Sequence, residues 1–459
     1  MSGIQPARRV AYQVIRAVSE SDAYANLLLP VTMDRAGLAG PDAALATELT
    51  YGTLRRRGYY DSVIEAAAGR PLAQLDAPIL DVLRLAVHQL LSMRVAQHAA
   101  VDEAVSLARE VGSRSATGFV NGVLRTIART SAEEWRSRVV GEAKGEDESL
   151  AAELAHPAWI VRAFRQALAT EGREDELAAL LEADNRAPSV SLAALPGLAT
   201  SGELTGAVPG RFSPFAAASE GGDPARWPAV RDGRARVQDE GSQLAALALS
   251  RARPVTPGER WLDLCAGPGG KAALLAAEAH GAGATLVANE VVPARAQLVR
   301  NALAVFENPP QVLVQDGRAF GERFAGQFDR ILLDAPCTGL GALRRRPEAR
   351  WRKQPKDVPE LTRLQVELVE SAARALKPGG LLAYVTCSPH LAETRVIVEH
   401  AVRRCGLEAV DAPAALAAVV REPLDLGPGL QAQLWPHRHG TDAMFIALLG
   451  KADGAEAGR

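Results

Sequence analysis

The feature that most constrains this chain is an alternation that begins after Val237, in which short apolar runs ending in chemically capable residues are separated by stretches with helical spacing. The runs are WLDLCA (261–266), TLVANE (285–290), VLVQD (312–316), RILLDAP (330–336), LLAYVTCS (381–388) and MFIALL (444–449). Near-continuous apolar runs suit strands buried on both faces, and helical crossovers between them make the sheet mainly parallel. In such α/β sheets ligands bind beyond the carboxyl ends of the strands, where the strand order reverses. The chemistry is therefore expected at the ends of these runs.

Ahead of the alternation the pattern is helical. Between Pro6 and Thr130 few runs suit a strand, and Ile79, Val82, Leu83, Ala86 and Leu90 share one helix face. With 459 residues the chain exceeds one ordinary core. We expect an all-α domain at 1–135, a linker with a small α+β region at 136–235, an α/β domain at 236–450 and a disordered tail at 451–459. The middle assignment rests on the Gly, Pro and Ala-rich stretch from Leu195 to Gly233, which predicts loops and short strands. Hydrophobic content of 47% with 23% charged residues excludes wholesale disorder.

No run approaches the roughly 20 apolar residues of a membrane span. MSGIQPARRVAYQVIRAV has no uninterrupted apolar stretch of the kind a secretory signal needs, so cytoplasm is the expected location and no membrane partner is expected. Cys265, Cys337, Cys387 and Cys405 show no CxxC spacing, so neither a metal site nor a disulfide framework is expected. A net charge of -2 carries no global sign of nucleic-acid binding, and a basic footprint must be local.

The first run leads into Cys265, Ala266, Gly267, Pro268, Gly269, Gly270 and Lys271, after which an Ala and Leu-rich helix begins. Glycines at such a turn let backbone approach a ligand closely, which points to a nucleotide-like cofactor. Glu290, ending the second run, is placed to accept from ribose hydroxyls, and Asp316, ending the third, to face adenine. The same fragment satisfies GxGxxA, so a nicotinamide dehydrogenase competes at this point. Asn308-Pro309-Pro310, an NPP sequence, precedes the third run without a following aromatic residue and reads as a turn.

The fourth run ends in Asp334-Ala335-Pro336-Cys337-Thr338-Gly339 and the fifth in Thr386-Cys387-Ser388-Pro389, so both cysteines are expected to open onto one cleft. Cys405 reads as a small core residue, and Cys265 as packing within the cofactor loop. After the first cysteine motif come Arg344, Arg345, Arg346, Arg350, Trp351, Arg352, Lys353 and Lys356, with Glu348 among them. Runs of charge are usually solvated surface. Here the adjacency to a cysteine-bearing strand end makes Arg344, Arg345, Arg346 and Trp351 candidate nucleic-acid contacts, through phosphate neutralisation and base stacking. Arg55, Arg56 and Arg57 offer a second patch.

These motifs resemble the RNA cytosine-5 methyltransferases, and within them the bacterial RsmB/Sun (Fmu) group that acts on 16S ribosomal RNA. LDLCAGPGGK (262–271) resembles that family's cofactor motif DLCAAPGGK, with Gly267 in place of its second alanine. LLDAPCTGLG (332–341) and YVTCSPH (384–390) resemble its two cysteine motifs, and VQDEGSQ and HGTDAMFIA the segments that bracket the catalytic domain. ELTYGTLRRR, QHAAVDEAVSLAR and FVNGVLR resemble a NusB-like helical RNA-binding domain. One departure is that SVSLAALPG follows Asn185-Arg186-Ala187-Pro188, where the family carries a basic strand.

The resemblance implies a Rossmann-like sheet of seven strands with the last antiparallel, and S-adenosylmethionine held by residues 265–271, Glu290, Asp316 and Asp334. Its substrate would be 16S rRNA or a small-subunit precursor, and the protein a monomer. Thiols suit that chemistry, because carbon 5 of cytosine attacks a methyl donor only after a nucleophile has added to carbon 6. Asp334 is placed to hold the cytosine edge. The resemblance assigns attack to Cys387 and product release to Cys337, whereas DNA cytosine methyltransferases use the cysteine of the first motif. A noncatalytic NusB-like RNA-binding or ribosome-assembly factor is the alternative from another class.

Overall fold

The computed structural model describes residues 4–453 apart from Asp22 and Glu220. The chain forms two compact units, one of residues 1–165, 174–187 and 343–353, the other of 166–173, 188–342 and 354–459.

The first unit is helical. Its central helix, Ala77–Ser92, is buried along Ile79 to Gln89, so the single apolar face read from periodicity is only part of its buried surface. Burial all round requires its polar residues to be paired. Arg84 meets Asp61 at 2.6 Å and Asp81 at 2.9 Å, and the Tyr60 hydroxyl lies 2.8 Å from His88 Nδ1. Helices Ala132–Gly141, Glu146–Glu153 and Leu177–Asp184 belong to the same unit, which moves the expected boundary after residue 135. Trp135 is part of the reason, since it is fully buried in the helical core and donates to the Ile127 carbonyl at 3.1 Å.

The second unit holds two sheets. A small antiparallel one comprises β1 (Val190–Ala194), β2 (Val208–Pro209), β3 (Ala216–Ser219) and β4 (Ala235–Val237) in the order β2-β3-β1-β4. The expected boundary at 235/236 cuts β4. Gln243, fully buried on the following helix Glu240–Ser250, donates to Leu192 O of β1 at 3.2 Å and accepts from Ser213 Oγ at 2.8 Å. These bonds tie the small sheet to the catalytic fold.

The large sheet comprises β5 (Arg260–Asp263), β6 (Thr285–Asn289), β7 (Gln311–Leu313), β8 (Phe328–Asp334), β9 (Leu376–Thr386), β10 (Leu407–Val410), β11 (Ala432–Gln433) and β12 (Phe445–Lys451). Its order is β10-β12-β9-β8-β5-β6-β7, with β11 paired to β12 off that path. β5 to β9 run parallel, and β12 is antiparallel to both β9 and β10. Lys451 therefore ends a strand instead of opening a disordered tail, and residues 454–459 lie outside the described residues.

Strand alternation explains why both faces are covered. Leu332, Ala383 and Val385 join the core formed with helices Glu240–Ser250 and Gly270–Gly281, while Ile331, Leu333, Leu382 and Tyr384 join the core formed with Asp357–Ala375 and Arg395–Cys405. Each fully buried aliphatic side chain contributes about 1.5 to 3 kcal/mol, so a one-residue slip of register would forfeit both cores. The strand order reverses between β5 and β8, which brings the ends of the first and fourth runs side by side.

Candidate active site

The loop after β5 is shaped for close approach. Gly269 has φ +107°, and a Cβ there would lie 2.7 Å from Ala302 Cβ, so a side chain is excluded by both strain and space. A Cβ at Gly267 would collide with the Glu290 carboxylate. Glu290 is buried, accepts from Val292 N at 3.0 Å, and lies 3.4 Å from the Arg295 guanidinium. Arg295 in turn donates to Gly267 O at 2.7 Å, which ties the acid of β6 to the loop of β5.

Asp316 lies three residues beyond the end of β7. It is exposed, caps the next turn by accepting from Arg318 N at 3.0 Å, and pairs with the Arg318 side chain at 2.6 Å. That hydrogen bond holds its carboxyl below the usual range. Asn308-Pro309-Pro310 is a bend and loop ahead of β7.

Between the two strand ends lies a cluster of acids and one lysine. Lys271 donates to Asp334 Oδ2 at 2.8 Å. Burial opposes the ammonium charge, but the Asp334 carboxylate outweighs it and raises the Lys271 pKa. Asp263 ends β5 at 1% exposure, where the Lys271 charge and the Cys265 backbone N–H do not offset its burial. Burial first and the Asp334 charge second push its pKa up to about 8. Burial, reinforced by the same acids, also pushes the Cys265 thiol well up, as befits a packing residue. A glycine cradle that a Cβ would fill, flanked by the buried acids Glu290 and Asp263, suits a nucleoside that carries positive charge.

The two thiols meet. Cys337 Sγ and Cys387 Sγ lie 3.4 Å apart as free thiols, because β8 and β9 pair in parallel with Asp334 opposite Val385 and the chain then carries each cysteine a few residues further. The hydrogen bond with Cys387, and then burial, push the Cys337 thiol well above its ordinary range. Glu393, fully buried, accepts from Thr338 N at 2.8 Å and from Ser388 Oγ at 2.7 Å. Cys405 is half-buried against the sheet core, and burial raises its pKa.

Comparison with known proteins agrees with this geometry. Residues 252–450 match the family model for 16S rRNA methyltransferase RsmB/F, and residues 5–129 match the NusB family. A Mycobacterium tuberculosis protein named as a candidate methyltransferase is 50% identical over 451 residues, covering 97% of this chain and 96% of its own. The ribosomal RNA small subunit methyltransferase B of Cronobacter sakazakii is 32% identical over 393 residues, covering 83% and 86%. The crystal structure of PH0851 superposes with a TM-score of 0.80 at 25% identity, over 98% of this chain and 100% of that one. The chain belongs to the RsmB/F family of rRNA methyltransferases. Its methyl donor is S-adenosylmethionine, which removes the nicotinamide dehydrogenase reading.

In this RsmB/F methyltransferase the basic run after Cys337 does not form one exposed stripe, because residues 343–353 pack into the helical unit. Arg344 is buried, and its carbonyl accepts from Arg55 at 3.3 Å. Arg350 is fully buried and donates to Arg55 O at 2.8 Å, Asp184 O at 2.7 Å, Asn185 Oδ1 at 2.7 Å and Ala155 O at 3.2 Å. Trp351 lies against Gly58, leaving no room for a Cβ there. Arg345 is partly buried and Arg346 exposed. Arg55 is likewise buried and Arg56 and Arg57 are half-buried, with Arg55 and Arg56 lining an open cavity of about 820 Å³. A helix junction rich in backbone carbonyls needs donors, and guanidinium groups supply several each.

Asp263, Arg295 and Glu393 were not among the residues singled out from sequence. Asp263 lies within LDLCAGPGGK as an acid at a strand end, a signal of position that the sequence carries. Nothing local distinguishes Arg295 or Glu393, whose partners lie on other elements of the sheet.

Among the described residues no helix is long and apolar enough to cross a membrane.

Proposed function

We propose that this RsmB/F-family enzyme methylates carbon 5 of a cytosine in 16S rRNA or a small-subunit precursor, acting in the cytoplasm through a covalent bond between Cys387 and carbon 6. The observation that carries the reading is the 3.4 Å contact between two free thiols beyond the ends of adjacent strands, next to the cofactor cradle. A single nucleophile would need one thiol, whereas addition and elimination give work to both.

In this reading the Cys387 thiolate adds to carbon 6, and the electron pair of the C5–C6 double bond moves to carbon 5. S-adenosylmethionine supplies an electrophilic methyl group, held by the loop 265–271 and Glu290. Carbon 5 takes that methyl with its new electron pair, the donor leaving as a thioether; a base then removes the carbon 5 proton, and the C–H electron pair restores the double bond as the Cys387 thiolate leaves carbon 6, with Cys337 assisting this release. Across the 3.4 Å contact a protonated Cys337 can donate to a Cys387 thiolate and stabilise it, which supports the division of labour. Asp334, held by Lys271, is placed to bind the cytosine edge. The target base has to be unstacked to reach the thiols. RNA contacts fall to the helical unit, with Arg346 the exposed arginine of the run.

The test compares the two thiols with substrate RNA and methyl donor on a denaturing gel. Cys387→Ala is expected to lose methyl transfer and to form no RNA adduct. Cys337→Ala is expected to accumulate a denaturation-resistant protein–RNA complex that carries the methyl group. An adduct with Cys387→Ala and none with Cys337→Ala would reverse the roles, and full turnover by both variants would end the cysteine mechanism.

A further inference from the structure

We propose that Glu393 is a positioning residue that sets the spacing of the two thiols by clasping the loop after Cys337 to the loop after Cys387; the inference rests on the cysteine reading above. Glu393 is fully buried, six positions beyond Cys387. It acts on the neighbours of the two thiols. Oε1 accepts from Thr338 N at 2.8 Å and from Gln365 Nε2 at 3.3 Å, and Oε2 accepts from Thr338 Oγ1 at 2.5 Å and Ser388 Oγ at 2.7 Å. A carboxylate only accepts, with about four lone-pair sites, and here two donors meet each oxygen.

Thr338 adjoins Cys337 in the chain and Ser388 adjoins Cys387, so one side chain bridges the residues immediately following both sulfurs. The two hydroxyls are drawn to within 3.0 Å of each other on the same oxygen. Gln365 extends the clasp to the residue preceding the first thiol, by donating to Pro336 O at 2.8 Å. The clasp is itself anchored, because the Tyr384 hydroxyl of β9 donates to Glu393 O at 2.7 Å. An acid buried only for packing would have no reason to place both oxygens across two catalytic loops, and burying a charge is costly unless every lone pair is met. The bond from Gly341 N to Cys387 O at 2.9 Å also joins the loops and does not involve Glu393, so variants at 393 lose the clasp while keeping a second tie.

The test uses full-length protein and two readouts, one of which needs no RNA. The first is the rate at which diamide, a two-electron thiol oxidant that is reduced to its hydrazine as it takes the two thiol hydrogens, joins Cys337 to Cys387, followed by mass spectrometry of the linked peptides. The second is methyl transfer, with kcat and the KM for S-adenosylmethionine separated. Displacing a reacting group by about 1 Å costs on the order of a hundredfold in rate, so Glu393→Ala is expected to lower kcat about a hundredfold and to slow the disulfide about tenfold, with KM for the donor unchanged. Glu393→Gln, which keeps one acceptor oxygen and offers its amide to the two hydroxyls, is expected to fall between Ala and wild type in both readouts. Thr338→Val removes one hydroxyl from the clasp and is expected to reproduce part of the loss in a chain that keeps the buried acid.

Wild-type disulfide rates in all three variants would overturn the proposal. If the wild type methylates no RNA cytosine while the variants still slow the disulfide, the cysteine reading fails and the positioning role stands.

Discussion

Replacing Asp263 with Asn should stabilise the ligand-free protein at neutral and alkaline pH and remove a pH dependence that the wild type carries. Asp263 is almost wholly buried, and burial with the Asp334 charge outweighs the Lys271 charge and the Cys265 backbone N–H, so that its pKa rises from 3.8 to about 8. A carboxyl whose folded pKa lies above its unfolded one binds its proton more tightly in the native state, so stability is fully present below the unfolded value and falls as pH climbs towards the folded value. The window is therefore 3.8 to about 8. At about 1.4 kcal/mol per pH unit the loss amounts to about 4 kcal/mol by pH 7 and about 6 kcal/mol above pH 8.

Asparagine matches the shape and has no proton to lose. Urea unfolding of both proteins between pH 5 and 9 would measure the difference, with tryptophan fluorescence as the probe because fully buried Trp261 lies two residues away on β5. Every other titrating group is common to both chains, so the gap between the two curves isolates residue 263 and should widen with pH. Parallel curves would refute the reasoning and would mean that Asp263 is already ionised in the folded state. An infrared band from a protonated carboxylic acid at neutral pH, absent from Asp263→Asn, is the matching spectroscopic signature.

Arg350→Ala should destabilise the helical unit by about 3 to 5 kcal/mol, because it strands buried acceptors; calorimetry should show a lowered transition, and an unchanged one would contradict the role given to its four bonds. Arg346→Ala should reduce the salt dependence of RNA binding by about 0.7 to 0.9 in the log–log slope if it neutralises one phosphate. Donor affinity should stay constant, and an unchanged slope would remove Arg346 from the RNA contacts.

Much of the catalytic sheet was legible because its strands are apolar enough to be buried on both faces. The strand at Leu407–Val410 escaped notice for the converse reason, since it is an edge strand of four residues with only Leu407 buried. The cofactor loop was readable from its glycines, whose need is local: Gly269 adopts φ +107° whatever surrounds it. Position beyond a strand end does not reveal that Arg318, two residues on from Asp316, holds its carboxylate. The arginine run was misjudged for a like reason. Charge suggests solvent, but the buried Arg344 accepts from Arg55 through its carbonyl, and Arg350 donates to backbone carbonyls and a side chain of the helical unit that lie far away in sequence.

The amino-acid sequence by itself determined the periodicities, the turn chemistry of the cofactor loop and the two cysteine motifs, because each is written in neighbouring residues. Tertiary structure alone decided that Cys337 and Cys387 touch, that Asp263 is stranded beside Asp334, and that Glu393 spans both cysteine loops. The physical reason is that strand order and register, set by packing helices on both faces of a twisted sheet, fix distances between residues that no local pattern relates.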